Sequence, residues 1–251
     1  MSMSQSRDRF GRIAAAAVKT ASVLAVGACL AVGVGTGLAH AATPPDPLKN
    51  WSVAHIEATS IANAEQASSL TLSGSFKQSG QTTTLKIAIK KGLGCTATTV
   101  ESNLGTEKII VVGKTVYLYL DKKFWVSVAG STGASIYAEI KGRYMKVSSA
   151  SLAKSFTPLC SVQQNLTSGG SKVTVSRGKV STLDGIRVLE LKNSDGTDVY
   201  VTDSSRPEIF EMTSPKGSAD GAGAIRVNVG AKFTLAAPPA SDVVNGAKYG
   251  F

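Results

Sequence analysis

From Ser69 onward, apolar and polar residues alternate along most of the chain. Leu70 and Leu72 lead through Ser73-Gly74-Ser75 to Phe76, and after the Ser79-Gly80 turn Leu85, Ile87 and Ile89 alternate with Lys86, Ala88 and Lys90. Period-two alternation bounded by Gly and Ser clusters predicts antiparallel strands with one face covered. Gly92-Leu93-Gly94 marks a turn before a Thr-rich strand over Cys95–Glu101, and Glu107–Val112 begins another. Val111–Val128 (VVGKTVYLYLDKKFWVSV) reads as a hairpin turning at Asp121-Lys122-Lys123. In its first arm Val116, Leu118 and Leu120 point one way and Thr115, Tyr117 and Tyr119 the other, so both sides of this ribbon need cover.

Further on, Tyr144–Val147 reads as a brief strand, and Ser148–Phe156 as a capped short helix stopped by Thr157-Pro158. Gly130–Gly142 fits either a short helix or a covering loop. After the Ser168-Gly169-Gly170 break, a second meander takes in Val173, Val175 and Val180, then Ile186, Val188, Leu189 and Leu191, then Val199-Tyr200-Val201. It continues with Ile209–Met212, Ile225–Val229 and Lys232–Leu235. The pattern predicts about ten strands. Thr213–Gly223 has the composition of a surface loop, and residues 238–251 read as an extended polar tail.

Before the alternation, the period lengthens. Trp51, Val53, Ile56, Ser60, Ala64 and Ala67 recur at three-to-four spacing, which predicts one long helix within 48–67, with Asp46 as its cap and Pro47 in its first turn. Its stripe is made of small side chains, which allows close approach to a sheet. Helix first and strands after give an α+β fold in a single domain over 48–237, preceded by a flexible leader at 42–47.

Residues 1–41 have a different texture. Arg7, Arg9, Arg12 and Lys19 precede an uncharged apolar run over Thr20–Leu38, and Ala39-His40-Ala41 is a small-x-small cleavage site. This is the layout of an export signal, removed in the mature protein. A second processing reading uses Val26-Gly27-Ala28-Cys29, which resembles a bacterial lipobox and would lipidate Cys29. Removing 1–41 takes four basic residues and Asp8 from a net charge of +10 and leaves +7. The Lys and Arg residues are scattered, so the pattern argues against a nucleic-acid footprint and leaves an anionic membrane or envelope polymer as the surface such a charge would meet. Nothing in the pattern calls for more than a monomer. Cys95 and Cys160 then form an isolated pair in an oxidising compartment, which predicts a 95–160 disulfide.

Candidate chemistry is sparse. His55 is the only histidine left after cleavage, and Glu57 is too near it in sequence to share its helix face. No G-x-S-x-G frames a serine, and one His with two bridged Cys does not build a usual metal site. Asp195-Gly196-Thr197-Asp198 with Asp203 lacks the alternating ligands of a calcium loop, and Gly92-Leu93-Gly94 and Gly221-Ala222-Gly223 lack the G-K-S/T of a phosphate loop. Asn165-Leu166-Thr167 is a chance sequon in a chain with a bacterial export signal. The expectation is a protein that is not an enzyme and needs no cofactor. Tyr117, Tyr119, Phe124 and Trp125 are open to two readings, core aromatics or the wall of a ligand cavity.

An exported leader, one long helix, a strand meander, the GKTVYLYLDKKFW segment, a helical insertion and a second meander with DG-x-x-VLEL and DGTDVYV follow one another from about Leu48 to Leu235. This order resembles the LolA-like superfamily, and most nearly the actinobacterial LppX and LprG type of exported lipoproteins. The resemblance implies a strongly curved antiparallel half-barrel, with helices on its concave side and an apolar cavity for acyl chains between them. The Cys95 and Cys160 pair and the ambiguous lipobox depart from the lipoprotein members. A lipid or other acyl-chain ligand is then the expected partner, and the alternative is a filled-core structural or interaction module of the cell envelope. The candidate cavity residues, chosen as apolar alternants, are Leu85, Ile87, Ile89, Val116, Leu118, Leu120, Val188 and Phe210.

Overall fold

The computed structural model describes residues 46–162, 166, 174–216 and 221–251. The export signal, Cys29, most of the leader, the sequon and the Ser168-Gly169-Gly170 break lie outside the described residues, apart from Asp46, Pro47 and Leu166. The described residues form one open, curved sheet of twelve strands with a few helices on one side, an α+β half-barrel.

A helix, α1 (Val53–Gln66), comes first, followed by β1 (Ser69–Gln78), β2 (Gln81–Lys90), β3 (Gly94–Glu101), β4 (Gly105–Val112) and β5 (Thr115–Leu120) as a meander. A long helix, α2 (Lys122–Ile140), a short strand β6 (Tyr144–Lys146), helix α3 (Ala150–Phe156) and a 3-10 turn (Thr157–Cys160) make the insertion. The second meander is β7 (Val175–Leu183), β8 (Ile186–Asn193), β9 (Asp198–Thr202), β10 (Ile209–Ser214) and β11 (Ala222–Val229), and β12 (Val243–Asn245) follows. The spatial order is β12-β6-β5-β4-β3-β2-β1-β11-β10-β9-β8-β7, so the two meanders join where β1 pairs with β11. β12 pairs parallel with β6, and the other neighbours are antiparallel.

The register puts the apolar alternants in rows across the sheet. One row runs Val227, Leu72, Ile87, Ala97, Ile109, Leu118 and Met145, and all seven are buried. A slip of one residue in any strand would turn its members of these rows to the opposite face, so burial fixes the register.

The structure corrects several expectations. The hairpin turns at Gly113-Lys114, not at Asp121, because β4 and β5 are its arms. Asp121 is instead a helix cap: its carboxylate accepts from Phe124 N at 2.7 Å and Thr106 N at 2.8 Å, so the chain after it winds as α2. Phe124 and Trp125, expected on the second arm, are buried residues of this helix. The segment left open between helix and loop continues α2 through a kink at Gly130, whose φ of 59° breaks the helical run. Asp46 accepts from Leu48 N but only a turn follows, and α1 starts at Val53 with Ser52 as its cap. No strand forms over Lys232–Leu235. The expected tail folds back as β12, and Phe251 is buried.

Candidate functional site

The covered face of the sheet carries two separate layers. Over β2–β5 lie α2, α3 and the 3-10 turn; over β7–β10 lies α1. They are fastened differently. The first layer is tied covalently, because Cys160 in the 3-10 turn bridges Cys95 on β3 with Cα atoms 5.2 Å apart, as the lone pair of cysteines predicts. Its α2 begins on the Asp121 cap, and Gly105 permits this geometry, since a Cβ there would stand 2.4 Å from the Asp121 carboxylate.

Polar clasps hold the second layer. The Arg177 guanidinium on β7 donates to the carbonyls of Leu48 at 3.0 Å and Trp51 at 3.4 Å, and it lies 3.6 Å from the Asp46 carboxylate. At the other end Asn63 Nδ2 donates to the Pro207 carbonyl at 2.7 Å. Between the clasps, the buried residues of α1 are Ile56, Glu57, Ser60, Asn63 and Ala64. Three of these five are polar, an unusual composition for the inner face of an amphipathic helix.

Beneath α1 is a small cavity lined by Glu57, Ser60, Ile61, Leu191, Val199, Val201 and Ile209, with a volume of about 10 Å³. That is room for about one water molecule. Ser60 Oγ donates within the helix, to the Ile56 carbonyl at 2.8 Å. Glu57 differs: it is 5 % exposed, and neither carboxylate oxygen has a hydrogen-bond partner among the described residues. Burial pushes its carboxyl above the usual carboxylate range.

Of the eight cavity candidates, Leu85, Ile87, Ile89, Val116, Leu118 and Leu120 are buried in the continuous core on the covered face. Val188 and Phe210 stand on the other face. Val188 alternates with Leu189 and Leu191 of the core, and the Phe210 ring lies 4.0 Å beneath the guanidinium of Arg226, which itself alternates with the buried Ile225 and Val227. None of the eight lines the cavity under α1. The four aromatics also divide: Phe124 and Trp125 belong to the core, whereas Tyr117 and Tyr119 alternate with it on the opposite face. The lining residues of β8, β9 and β10 were legible as strand alternants. Glu57 had one visible signal, a carboxylate between Ile56 and Ser60 of the helix stripe.

A second buried carboxylate lies at the far end of the same sheet face. Glu107 is flanked across the strands by Thr99 and Leu120, and its carboxyl is pushed up to about 7 by burial and then by the nearby Glu101. The loop with Asp195 is turn chemistry: its Oδ1 accepts from Thr197 N at 2.9 Å and from Thr197 Oγ1 at 2.7 Å. Asp203 pairs with Arg187 at 2.6 Å. The His55 ring meets Trp51 at a tilt of 50°, with ring centroids 4.4 Å apart. Among the described residues, no group of three or more His, Cys, Asp or Glu side chains is placed to hold a metal ion, and no helix is long and apolar enough to cross a membrane.

No family model matches this sequence, and no curated protein matches it. Among solved structures, MucB in complex with MucA(peri) is similar over 74 % of this chain and 60 % of that one, at 9 % identity and a TM-score of 0.37. The chain thus spans about 60 % of the length of that MucB chain. A DUF1329 family protein from Desulfovibrio piger is similar over 73 % of this chain and 92 % of that one, at 12 % identity and a TM-score of 0.25. An outer membrane lipoprotein-sorting protein domain from Vibrio parahaemolyticus is similar over 69 % and 88 %, at 12 % identity and a TM-score of 0.23.

Proposed function

We propose that this chain is an exported, non-enzymatic carrier that holds acyl chains between its curved sheet and the helices covering it, in the manner of the LolA-like proteins and most nearly of the LppX and LprG type. The observation that carries the reading is the unequal fastening of the two covers. A disulfide pins the α2–α3 layer, while α1 lies over β7–β10 on a face with only Ile56 and Ala64 as fully buried aliphatics. Displacing α1 would break the Arg177 and Asn63 clasps and uncover Leu191, Val199, Val201 and Ile209, an apolar surface that an acyl chain would have to cover again. An acyl chain laid there regains about 0.8 kcal/mol for each CH₂ removed from water. The proposed location is the cell envelope, where the basic mature surface meets anionic lipid or polymer.

Native mass spectrometry of protein purified from its host, together with titration by a fluorescent fatty acid or phospholipid, tests this directly. Copurified lipid and saturable uptake are expected. Absence of both overturns the carrier reading. One observation favours the second reading, a filled-core envelope module: the cavity under α1 holds only about one water.

A further inference from the structure

Leu93 stands in solvent among lysines at the end of the sheet where β2 turns into β3, and we infer that this end docks the protein on an anionic lipid bilayer, with Leu93 as the side chain that enters it. The inference rests on the envelope location proposed above and not on the acyl-chain site. Leu93 is 54 % exposed, more than any other large apolar side chain among the described residues. One exposed leucine is ordinary on a protein surface, so its setting has to carry the argument. Its backbone is held firmly: Lys91 N donates to the Ser68 carbonyl at 3.0 Å, Leu93 N to the Lys90 carbonyl at 3.0 Å, and Gly113 N to the Leu93 carbonyl at 2.9 Å. Gly92, with a φ of 75°, lets the turn close this tightly. The apolar side chain is therefore presented on a fixed turn at a strand end, where it can enter a surface while the fold stays as it is.

The surroundings are cationic. Lys90 and Lys91 belong to the same turn, and Lys114 follows Gly113 in the β4–β5 turn bonded to it. Lys232 follows Ala231, whose carbonyl accepts from Ser69 Oγ at 2.8 Å, next to the Ser68 that holds Lys91. Lys91, Lys114 and Lys232 are exposed, and none of the four lysines is in an ion pair among the described residues. Carboxylates are kept away. The sequence has no Asp or Glu over 66–100, 108–120 or 221–241, and Glu101, Glu107 and Asp121 lie at the opposite ends of β3, β4 and β5. Glu65, in the last turn of α1, gives its backbone carbonyl to Lys91 Nζ at 2.8 Å, and Asp203 and Glu208, in the β9–β10 turn, are separated from this end by β1 and β11. Uncompensated lysines draw this end toward negative head groups, and the leucine at its tip then gains by leaving water. An anionic polymer would use the lysines alone, so dependence on Leu93 separates a bilayer from a polymer.

The test measures cosedimentation of the mature protein with vesicles of phosphatidylglycerol and phosphatidylcholine, or of phosphatidylcholine alone, at physiological ionic strength. Wild type is expected to partition roughly tenfold or more in favour of the anionic vesicles. Leu93→Ser should weaken that binding roughly tenfold and leave its salt dependence in place. Lys114→Gln combined with Lys232→Gln, whose side chains have no partner among the described residues, should weaken it by a similar factor and flatten the salt dependence. Thermal unfolding confirms that these surface variants are folded. In Leu93→Trp the added emission should shift to the blue on anionic vesicles and be quenched by lipids brominated on their acyl chains. Wild-type binding that ignores phosphatidylglycerol, a Leu93→Ser that binds as wild type does, or a Leu93→Trp emission that vesicles leave unchanged overturns the inference. Uptake of a fluorescent fatty acid, measured without vesicles, judges the carrier reading separately: a protein that takes it up and ignores vesicles overturns only this inference, and one that docks but takes up no lipid overturns only the carrier.

Discussion

The ring of Phe251 meets Trp125 edge-on, with centroids 6.0 Å apart and planes at 86°. The two residues are far apart in the chain: Trp125 lies in the first turn of α2, and Phe251 follows the strand that pairs with β6. Both are buried. Edge-to-face pairs add roughly 1 kcal/mol beyond burial, and truncating a buried Phe costs about 3 kcal/mol in all. Phe251→Ala should lower stability by about that amount in urea unfolding and shift the Trp125 emission to the red.

Glu107 makes stability depend on pH. Its ordinary value is near 4.5 and its folded value about 7, so the folded protein holds a proton that the unfolded chain has released. Stability should therefore fall as pH rises from about 4.5 to 7 and level off above, by an amount on the order of 3 kcal/mol. Glu107→Gln keeps the shape, should remove this slope, and should be more stable than wild type at pH 8. An unchanged slope in the variant would assign the effect elsewhere.

The Cys95–Cys160 bridge closes a sequence separation of 65 residues. Chain entropy sets its contribution at about 4 kcal/mol. Replacing both cysteines by serine should lower the unfolding free energy by about that much. Under the proposed carrier reading, lipid uptake should survive in the remaining folded protein, since α1 is not held by the bridge.

Asp121 serves two backbone donors from different elements, Phe124 N in α2 and Thr106 N in β4. Asp121→Ala should cost about 2 kcal/mol, more than an ordinary cap because a part-buried strand amide is orphaned as well. Asp121→Asn should cost less, because one amide oxygen can still cap the helix. Thermal unfolding of the two variants checks the order.

Much of the architecture was legible in the sequence, and the misreadings have physical causes. Alternation at Leu85, Ile87 and Ile89 and at Val116, Leu118 and Leu120 reports the covered face directly, because each strand has one dry side. The second arm proposed for the Val111–Val128 hairpin failed because Phe124, Trp125, Val126 and Val128 have strong strand propensity, yet the Asp121 cap and packing against β4 set them in a helix. Val188 was ambiguous for a different reason. Val188 and Leu189 are both buried, so β8 shows a run rather than an alternation and its faces cannot be told apart in one dimension. The last strand was hidden because its three residues, Val243–Asn245, gain their pairing only from β6, far away in the chain. Glu57 was read only as a sequence neighbour of His55, and its burial depends on the sheet beneath α1, which the helix pattern alone does not place.

The seam between β1 and β11 has a consequence for how the chain is made. Residue 70 pairs with residue 229, so the centre of the sheet is its most distant pairing in sequence, while nearly every other ladder joins neighbours. Each meander can form as soon as its own strands have left the ribosome, but the free side of β1 stays open until β11 is synthesised and delivered. On contact order, closing that seam is expected to come late in folding. Until it happens, a nascent chain carries an unpaired strand edge, with Leu70, Leu72 and Phe76 on its inner face, that a second copy or a holding chaperone would cover first.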